Sequence, residues 1–486
     1  MGIDEIRQVR LEKLEKLKEA GLIPYPADTD REYSIGDVLK KFDSLEQEKE
    51  EVIVAGRVMS IRGQGGIYFV DLYDGTGKIQ AVLKKDTEIS EHMFDLFVET
   101  IDMGDFIEVS GTCFVTERGQ QSIQVGDWGI LSKTLQPLPE KWHGLQDVEE
   151  RYRKRYLDIL GNSELKDMFV QKALFWQTIR GFLIERGFLE VETPMLETTT
   201  GGAEARPFIT HHNDFDMDVF LRISVGELWQ KRLMAAGFPK TFEIGRAFRN
   251  EGSSPEHLQE FTNMEFYAAY MNFDDGKELV KELYRDVAQK VFGKTEFTTR
   301  GHTFDLNGEW KELDYVSIVK EMTGIDVLEA SEDEMKNKLQ ELGVSYTGEN
   351  KERLTDTLWK YCRKQISGPA FLINHPKLVA PLSKEHPDNP ALTKTFQVIL
   401  AGSEVGRAHA ELNDPEEQRK RFEKQQELLK EGDDEAMMAD YEYVEMLEHG
   451  MPPTFGFGVG ERLFSFFVDK PIREAQLFPL MKPKQE

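Results

Sequence analysis

Long apolar runs are missing from this sequence. No stretch of about 18 or more hydrophobic residues occurs, which excludes a membrane-spanning helix. Cysteine is nearly absent: Cys113 and Cys362 stand far apart. They cannot form a Cys-rich metal cluster, and a reducing, cytosolic setting fits best. The opening MGIDEIRQVRLEKLEKLKEAG is charged throughout and lacks the apolar stretch of a secretory signal. Basic charge is in deficit, with 61 Lys and Arg against 88 Asp and Glu and a net charge of −27. That balance opposes a general grip on nucleic acid while leaving room for a local basic face. Its plain reading is solubility. Internal repeats and low-complexity tracts are also absent. What is present suffices for a core: 486 residues, 40% hydrophobic and 31% charged, the length of about three domains.

Residues 3–20 read as a helix, with Ile3, Ile6, Leu14 and Leu17 at helical spacing. Gly21 suits a left-handed cap, and Pro24 and Pro26 prevent continuation. From Glu51 the period changes. EVIVAGRVMSIR, GIYFVDLYD, GKIQAVLKK, DFIEVSGTCFVTE and QQSIQVGDWGILS are short β-rich runs, with a turn at Asp74-Gly75-Thr76-Gly77. Such a series suggests a small Greek-key barrel of the oligonucleotide-binding type. A small barrel without a ligand fits the pattern equally. The chain thus divides into an N-terminal helix and lead-in (1–50), a barrel (51–136), a Pro- and Gly-bearing linker (137–165) and a larger domain (166–486).

In the larger domain, 167–186 is a long helix ended by Gly187, with Phe175, Ile179 and Phe182 on one face. FLEVETPML follows as a strand stopped near Pro194. VFLRIS, TFEIGRAF, FTNMEFYAAY and KTFQVILAG are further strands, and 416–431 is a charged helix opened by Asp414 and Pro415. The stretch 295–365 reads as a helical insertion, with a capping box at Ser331-Glu332-Asp333-Glu334. The fold class expected is α+β, an antiparallel sheet flanked by helices.

Three segments carry chemistry. In TFEIGRAFRNEGSSPEHLQEFTNMEFYAAY (241–270), Arg249 and Glu251 sit two apart on a strand, hence on the same face. Arg grips a phosphate bidentately; Phe261 can stack a base; Glu251 can accept from an exocyclic amine; His257, Glu265 and Tyr267 add polar groups. Each alone fits an ordinary cross-strand ion pair or core position; the set suits a nucleotide. In TFGFGVGERLFSFF (454–467), Gly456, Gly458 and Gly460 let a flat ligand approach the backbone, and the following helix start favours anions. The segment is neither a Walker loop nor a dinucleotide fingerprint. In FQVILAGSEVGRAHAELNDPEEQ (396–418), Glu404 and Glu411 suit Mg²⁺ or a cationic substrate, or a solvated acidic edge.

Together these segments resemble the signature motifs of class II aminoacyl-tRNA synthetases. Helix 167–186 with FLEVETPML is similar to motif 1, FRNE with EFTNMEFY to motif 2, and GFGVGERL to motif 3. KLEKLKEAGLIPYP, GGAEARPFITHHN, PLSKEHPDNPALTKTF, ELNDPEEQRKRF and GDDEAMMADYEYVEMLEHGMPPT resemble the lysyl family of the aspartate, asparagine and lysine subgroup. The resemblance runs from about residue 5 to the end. It implies an oligonucleotide-binding barrel reading the anticodon and a class II catalytic domain joining L-lysine to tRNA(Lys) with ATP and Mg²⁺, in a cytoplasmic homodimer. By the same resemblance, Arg249 and Arg462 are catalytic. Glu251, His257, Phe261 and Glu404 bind ATP with them, and Glu404 also ligates the metal. Gly201, Glu227, Glu265, Tyr267, Arg407 and Glu411 form the lysine pocket. Arg57, Phe69 and Gln80 read the anticodon, and Lys84, Lys85 and RYRKRY (151–156) supply local positive charge.

Some positions depart from that family pattern. Glu256 stands where an Arg is common, and Gln397 where a second metal-binding Glu is expected. Arg407 and His409 replace an Asn and an aromatic residue. SVGELWQ has one residue more than usual before Glu227, and Arg462 follows Gly460 by two positions rather than three. Arg407 leans towards an acidic amino acid, so an aspartyl or asparaginyl enzyme is one alternative; a non-charging regulatory paralogue is another.

Overall fold

The computed structural model describes residues 2–85, 87, 89–139, 145–203, 205–252, 254–432 and 436–484. It resolves into two compact units, Met1–Gly161 and Asn162–Glu486. Part of the expected linker, 140–144, lies outside the described residues; the remainder includes the helices Val148–Arg153 and Arg155–Gly161.

In the first unit the helix Ile3–Glu19 is followed by Gly21 at φ +84°. Five strands, Glu51–Gln64, Ile67–Tyr73, Lys78–Lys84, Phe106–Val115 and Gln121–Ser132, close into a barrel. Alternation supplies its core: Val54, Val70, Leu72, Ile79, Val109 and Ile123 point inward and are fully buried. The Asp74 side chain accepts from the backbone N–H groups of Thr76 (2.8 Å) and Gly77 (3.1 Å), which fixes the expected turn. Sequence reasoning missed the helix Glu91–Thr100, capped by Ser90; its Phe97 meets Trp128 edge-on at 5.3 Å. Below it, the buried Lys133 ammonium bridges Asp102 (2.6 Å) and Asp105 (2.7 Å) and donates to the Thr100 carbonyl.

The second unit is built on one large sheet, in the order Lys311–Asp314, Ala370–Pro376, Asn389–Leu400, Ser403–Ala410, Thr454–Gly460, Glu260–Ala269, Lys240–Phe248, Leu189–Glu190. Only the two edge pairings are parallel. Register places Glu265, Gly458, Arg407 and Gln397 in one row across four strands, with Tyr267, Gly456, His409 and Thr395 in the row beside it. The opposite face packs Phe266, Phe396, Phe455 and Phe457. The helix Ser163–Glu185 begins four residues before the expected position, capped by Asn162. Its Lys172 pairs with Glu461 at 2.6 Å. FLEVETPML forms only two two-residue strands, Leu189–Glu190 and Leu196–Glu197. The helical reading of 295–365 also needs correction. Short strands Glu296–Thr299, His302–Asp305 and Lys311–Asp314 precede its helices, and the last joins the main sheet. The capping box at Ser331 and the helix Pro415–Lys430 behind Asp414 form as read.

Removing one partner of a buried ion pair leaves an uncompensated charge, which costs about 3–5 kcal/mol. Lys133→Met is therefore expected to destabilise the barrel by that amount. Hydrogen exchange of strands Phe106–Val115 and Gln121–Ser132 in the full chain checks this: protection should fall there and not in the main sheet.

Candidate active site

A cavity of about 460 Å³ opens over the centre of the large sheet. Of the expected small-molecule ligands, Glu227, Arg249, Glu251, His257, Phe261, Glu265, Tyr267, Glu404, Arg407, Glu411 and Arg462 all line it. Gly201 does not; its neighbour Gly202 does, at φ +85°, and a Cβ there would lie 2.7 Å from that of Glu227.

One end is acidic. Glu227 opens the helix Glu227–Ala235 directly behind Gly226, whose φ of +70° turns the chain into it. A Cβ at 226 would lie 2.3 Å from the Thr193 hydroxyl, so only glycine fits. From this turn Glu227 reaches the cavity. One helical turn on, Lys231 is fully buried and bridges Glu227 (2.7 Å) and Glu411 (2.6 Å). Glu265 accepts from the Val225 N–H (2.7 Å), the Asn263 amide (3.0 Å) and the Tyr267 hydroxyl (3.0 Å). Burial pushes the Glu265 carboxyl up to about 7, and the nearby Glu227 charge adds to this. Burial likewise pushes Glu411 up to about 8, Lys231 opposing and Glu227 reinforcing the shift. Burial alone would lower the Lys231 ammonium, but the two carboxylates beside it raise it. Two of the three buried carboxylates thus share one cation, and Glu265 is held by neutral donors alone.

The glycine-bearing strand is only partly open to a ligand. A Cβ at Gly456 would meet Glu411 Oε1 at 2.1 Å and the Tyr267 ring at 2.5 Å, so the protein's own groups cover that glycine. A Cβ at Gly460 would meet nothing closer than Asn263 Oδ1 at 3.4 Å, so that glycine is less tightly covered.

The other end is basic. Arg249 and Glu251 do not share a strand face as expected. The strand ends at Phe248, and both lie in the loop beyond it, where the Glu251 N–H donates to the Arg249 carbonyl. The Arg249 guanidinium stands 5.3 Å over the Phe261 ring and forms no ion pair among the described residues. His257 bonds Ser254 through Nδ1 (2.7 Å) and is held near 4 by burial and by the Arg462 charge, hence neutral. Arg462 reaches the cavity from the first position of a helix. It donates to the backbone carbonyls of Glu256 and Glu404, so the shorter spacing after Gly460 is accommodated without a bulge. The helix start carries an acidic residue, Glu461, whose side chain does not cap it. That side chain accepts from the Thr262 N–H (3.1 Å) and pairs with Lys172.

The departures from the family pattern find partners. Glu256 is held by Arg300 and by the Ser403 hydroxyl (2.9 Å). Gln397 accepts from the Trp359 indole at 3.0 Å. His409 bonds Ser383 and Thr395 through Nδ1. Arg407 donates to the Val379 carbonyl (2.8 Å), while its buried Nε has no partner among the described residues. No group of three or more His, Cys, Asp or Glu side chains that could hold a metal ion occurs among the described residues.

Arg57, Phe69 and Gln80 belong to the barrel. Rows Arg57–Tyr73–Lys78, Ser60–Asp71–Gln80 and Arg62–Phe69–Val82 run across its first three strands on the face opposite the core. Phe69 is half-buried on that outer face, outside the core cluster. Gln80 is nearly covered and accepts from the Ser122 hydroxyl, and Arg57 sits 4.2 Å over Phe106. RYRKRY does not present a free basic face: Arg151 and Arg155 pair with Asp158, Arg153 with Glu149 and Lys154 with Glu150. Lys85 pairs with Glu91.

Comparison with known proteins fits both units. Residues 147–482 match the family described as tRNA synthetases class II (D, K and N), and residues 52–131 match an OB-fold nucleic acid binding domain. The chain belongs to the class II tRNA synthetases of the D, K and N group. Among its curated relatives, lysine–tRNA ligase of Roseiflexus sp. (strain RS-1) is 44% identical, with 100% of both chains covered. Lysine–tRNA ligase of Thermotoga maritima is 42% identical over 99% of this chain and 97% of its own, and that of Clostridium perfringens is 43% identical over the same shares.

Stability should follow the raised carboxyls. Their folded pKa values exceed the unfolded ones, so the folded chain holds more protons between about pH 5 and 8, and stability falls as pH rises through that window. Glu265→Gln is expected to flatten this loss, raising the melting temperature of the ligand-free protein more at pH 8 than at pH 6. Thermal unfolding across pH checks it.

Proposed function

We propose that this protein is a lysine–tRNA ligase, which activates L-lysine with ATP and transfers it to tRNA(Lys). The observation that carries the reading is the charge balance at the acidic end. When all three are ionised, Glu227, Glu265 and Glu411 exceed Lys231, the cation between Glu227 and Glu411, by two charges, and the raised Glu265 and Glu411 carboxyls give up their protons as cationic groups enter. Free lysine brings two ammonium groups. Its side-chain ammonium is assigned to Glu227 and Glu411 with Tyr267 beside it, and its α-ammonium to Glu265 above the Gly201-Gly202 backbone. Arg407, free of carboxylate partners among the described residues, is the cation for the substrate carboxylate. An amino acid lacking the second ammonium leaves buried carboxylates unpaired. A polar-matched site of this kind rejects such analogues by about 10⁴–10⁵.

ATP is assigned to the basic end, with adenine against Phe261 and Arg462 and its amine donating to Glu251. His257 joins this wall as a neutral group. A lysine carboxylate oxygen attacks the α-phosphorus, the bond to the bridging β-oxygen breaks, and its electron pair leaves with pyrophosphate. Arg249 balances charge building on the α-phosphate, so positioning and electrostatics carry the step. Mg²⁺ commonly binds through one or two carboxylates and substrate phosphates. Glu404, with Gln397 engaged by Trp359, fits an ion brought with ATP; when bound, it neutralises phosphate charge. The terminal tRNA hydroxyl then attacks the lysyl carbonyl and AMP departs. The outer barrel face with Phe69, Arg57 and Gln80 is the proposed anticodon reader.

The domain reading follows the same lines: 1–50, 51–136, 137–165 and 166–486, the last catalytic. Val170, Leu174, Ile184, Leu189, Met195 and Leu196 are exposed on the motif 1 segment and support a homodimer. The buried thiols of Cys113 and Cys362 support a cytoplasmic setting; no described helix is long and apolar enough to cross a membrane.

ATP–pyrophosphate exchange with lysine, aspartate and asparagine in parallel tests the reading. Exchange with lysine alone is expected; exchange with aspartate or asparagine overturns the pocket assignment, and none at all favours a regulatory protein. Glu411→Gln should lose lysine affinity far more than ATP affinity. Phe69→Ala should weaken tRNA charging while leaving lysine activation unchanged; an equal fall in both would make Phe69 a structural residue.

A further inference from the structure

We propose that the helix Lys351–Arg363 carries the site for the two terminal phosphates of ATP, with Arg363 and Lys360 as its cations. This rests on the cavity being an ATP site. One face of the helix packs Leu354, Leu358 and Cys362 into the core with Tyr315, Met335 and Leu339. The other places Asp356, Trp359, Lys360 and Arg363 on the cavity wall, at the i, i+3, i+4, i+7 spacing of one helical face.

Arg363 is the decisive residue. Its side chain is 14% exposed and turns from the end of the helix towards the central strand, where Nη1 stands 3.9 Å from the Glu404 carboxylate. That is outside hydrogen-bond range. No side-chain hydrogen bond from Arg363 forms among the described residues, so its planar set of donors is available to phosphate oxygens. Cations in a last helical turn ordinarily complement the helix dipole. Lys360 fits that role as well, since it pairs with Asp356 at 2.6 Å near solvent. Arg363 differs because it aims across the cavity.

The surroundings agree. The Arg363 charge reaches Glu256, His257 and Arg462, the groups at the basic end. Among the carboxylates there, Glu256 is neutralised by Arg300, and Asp356 by Lys360. Glu404 faces Arg363 at the longer distance. Arg462 donates only to backbone carbonyls among the described residues. With Glu256 in the loop between Arg249 and Phe261, that loop offers a carboxylate where the terminal phosphates require cations. The helix opposite supplies them. In the reaction these two phosphates become the leaving pyrophosphate, and the electron pair of the broken P–O bond is stabilised by the same cations.

The test is calorimetric titration of the full-length protein with ATP and, separately, with AMP, in Mg²⁺ buffer without amino acid. Arg363→Ala is expected to weaken ATP binding about tenfold or more, the scale of a lost charge-assisted contact, and to leave AMP binding unchanged. Arg363→Lys should retain most ATP affinity, and Lys360→Ala should show a smaller loss confined to ATP. If Arg363→Ala does not fold, as judged by thermal unfolding, Arg363→Gln takes its place. An equal fall for ATP and AMP, or no change in either, overturns the proposal. So does a wild-type protein that binds ATP no more tightly than AMP. Exchange with an amino acid other than lysine would overturn the pocket reading alone and leave this site standing.

Discussion

Three carboxylates withdrawn from water around one ammonium set the terms for the rest of the catalytic unit. Burying a charge costs several kcal/mol even after relaxation, and only close partners offset it. Lys231 bridges Glu227 and Glu411, and three donors converge on Glu265. These contacts dictate local choices that look arbitrary in isolation. The helix Glu227–Ala235 must start in the turn at Gly226 so that 227 and 231 lie on one face. Position 456 must be glycine, because any side chain would displace Glu411 or Tyr267. The Glu411 N–H is itself tied to the Thr454 carbonyl, which keeps that carboxylate at the end of the central strand.

The sheet converts this local arrangement into a polarised cavity. Because side chains alternate faces with a period of two, register alone assembles Glu265, Gly458, Arg407 and Gln397 in one row. Negative charge collects beside Tyr267. Positive charge collects where Arg249, Arg462 and Arg363 approach from a loop, a short helix and a long helix. A protein with a net charge of −27 can thus keep a local basic surface facing inward, where the overall acidity does not screen it.

Much of this was legible in the residues. Strand alternation and turn chemistry located the barrel and the central hairpin, and every residue singled out in the three chemical segments for a ligand lines the cavity, whereas Gly201, from outside them, does not. What escaped depended on distances that sequence spacing does not encode. Arg249 and Glu251 were read onto a strand that in fact ends at Phe248. At the start of the last helix, Glu461 is tied to Lys172, 289 positions away in sequence. The basic run 151–156 is neutralised by acidic residues of its own helices. Lys231 was visible in principle, four residues after Glu227 on a helix. Arg300 and Arg363 gave no such signal: each meets the cavity groups only through the fold.

Lys231 has a further consequence for the chemistry proposed beside it. An acyl-adenylate is a strong acylating agent, and an amine within reach would capture the acyl group as a dead-end amide. Such capture needs the nitrogen lone pair. Lys231 is clamped between two carboxylates that raise its pKa and keep it protonated, so that lone pair is tied up in an N–H bond. The ion pair that balances the pocket therefore also makes the protein's own amine inert towards the activated intermediate.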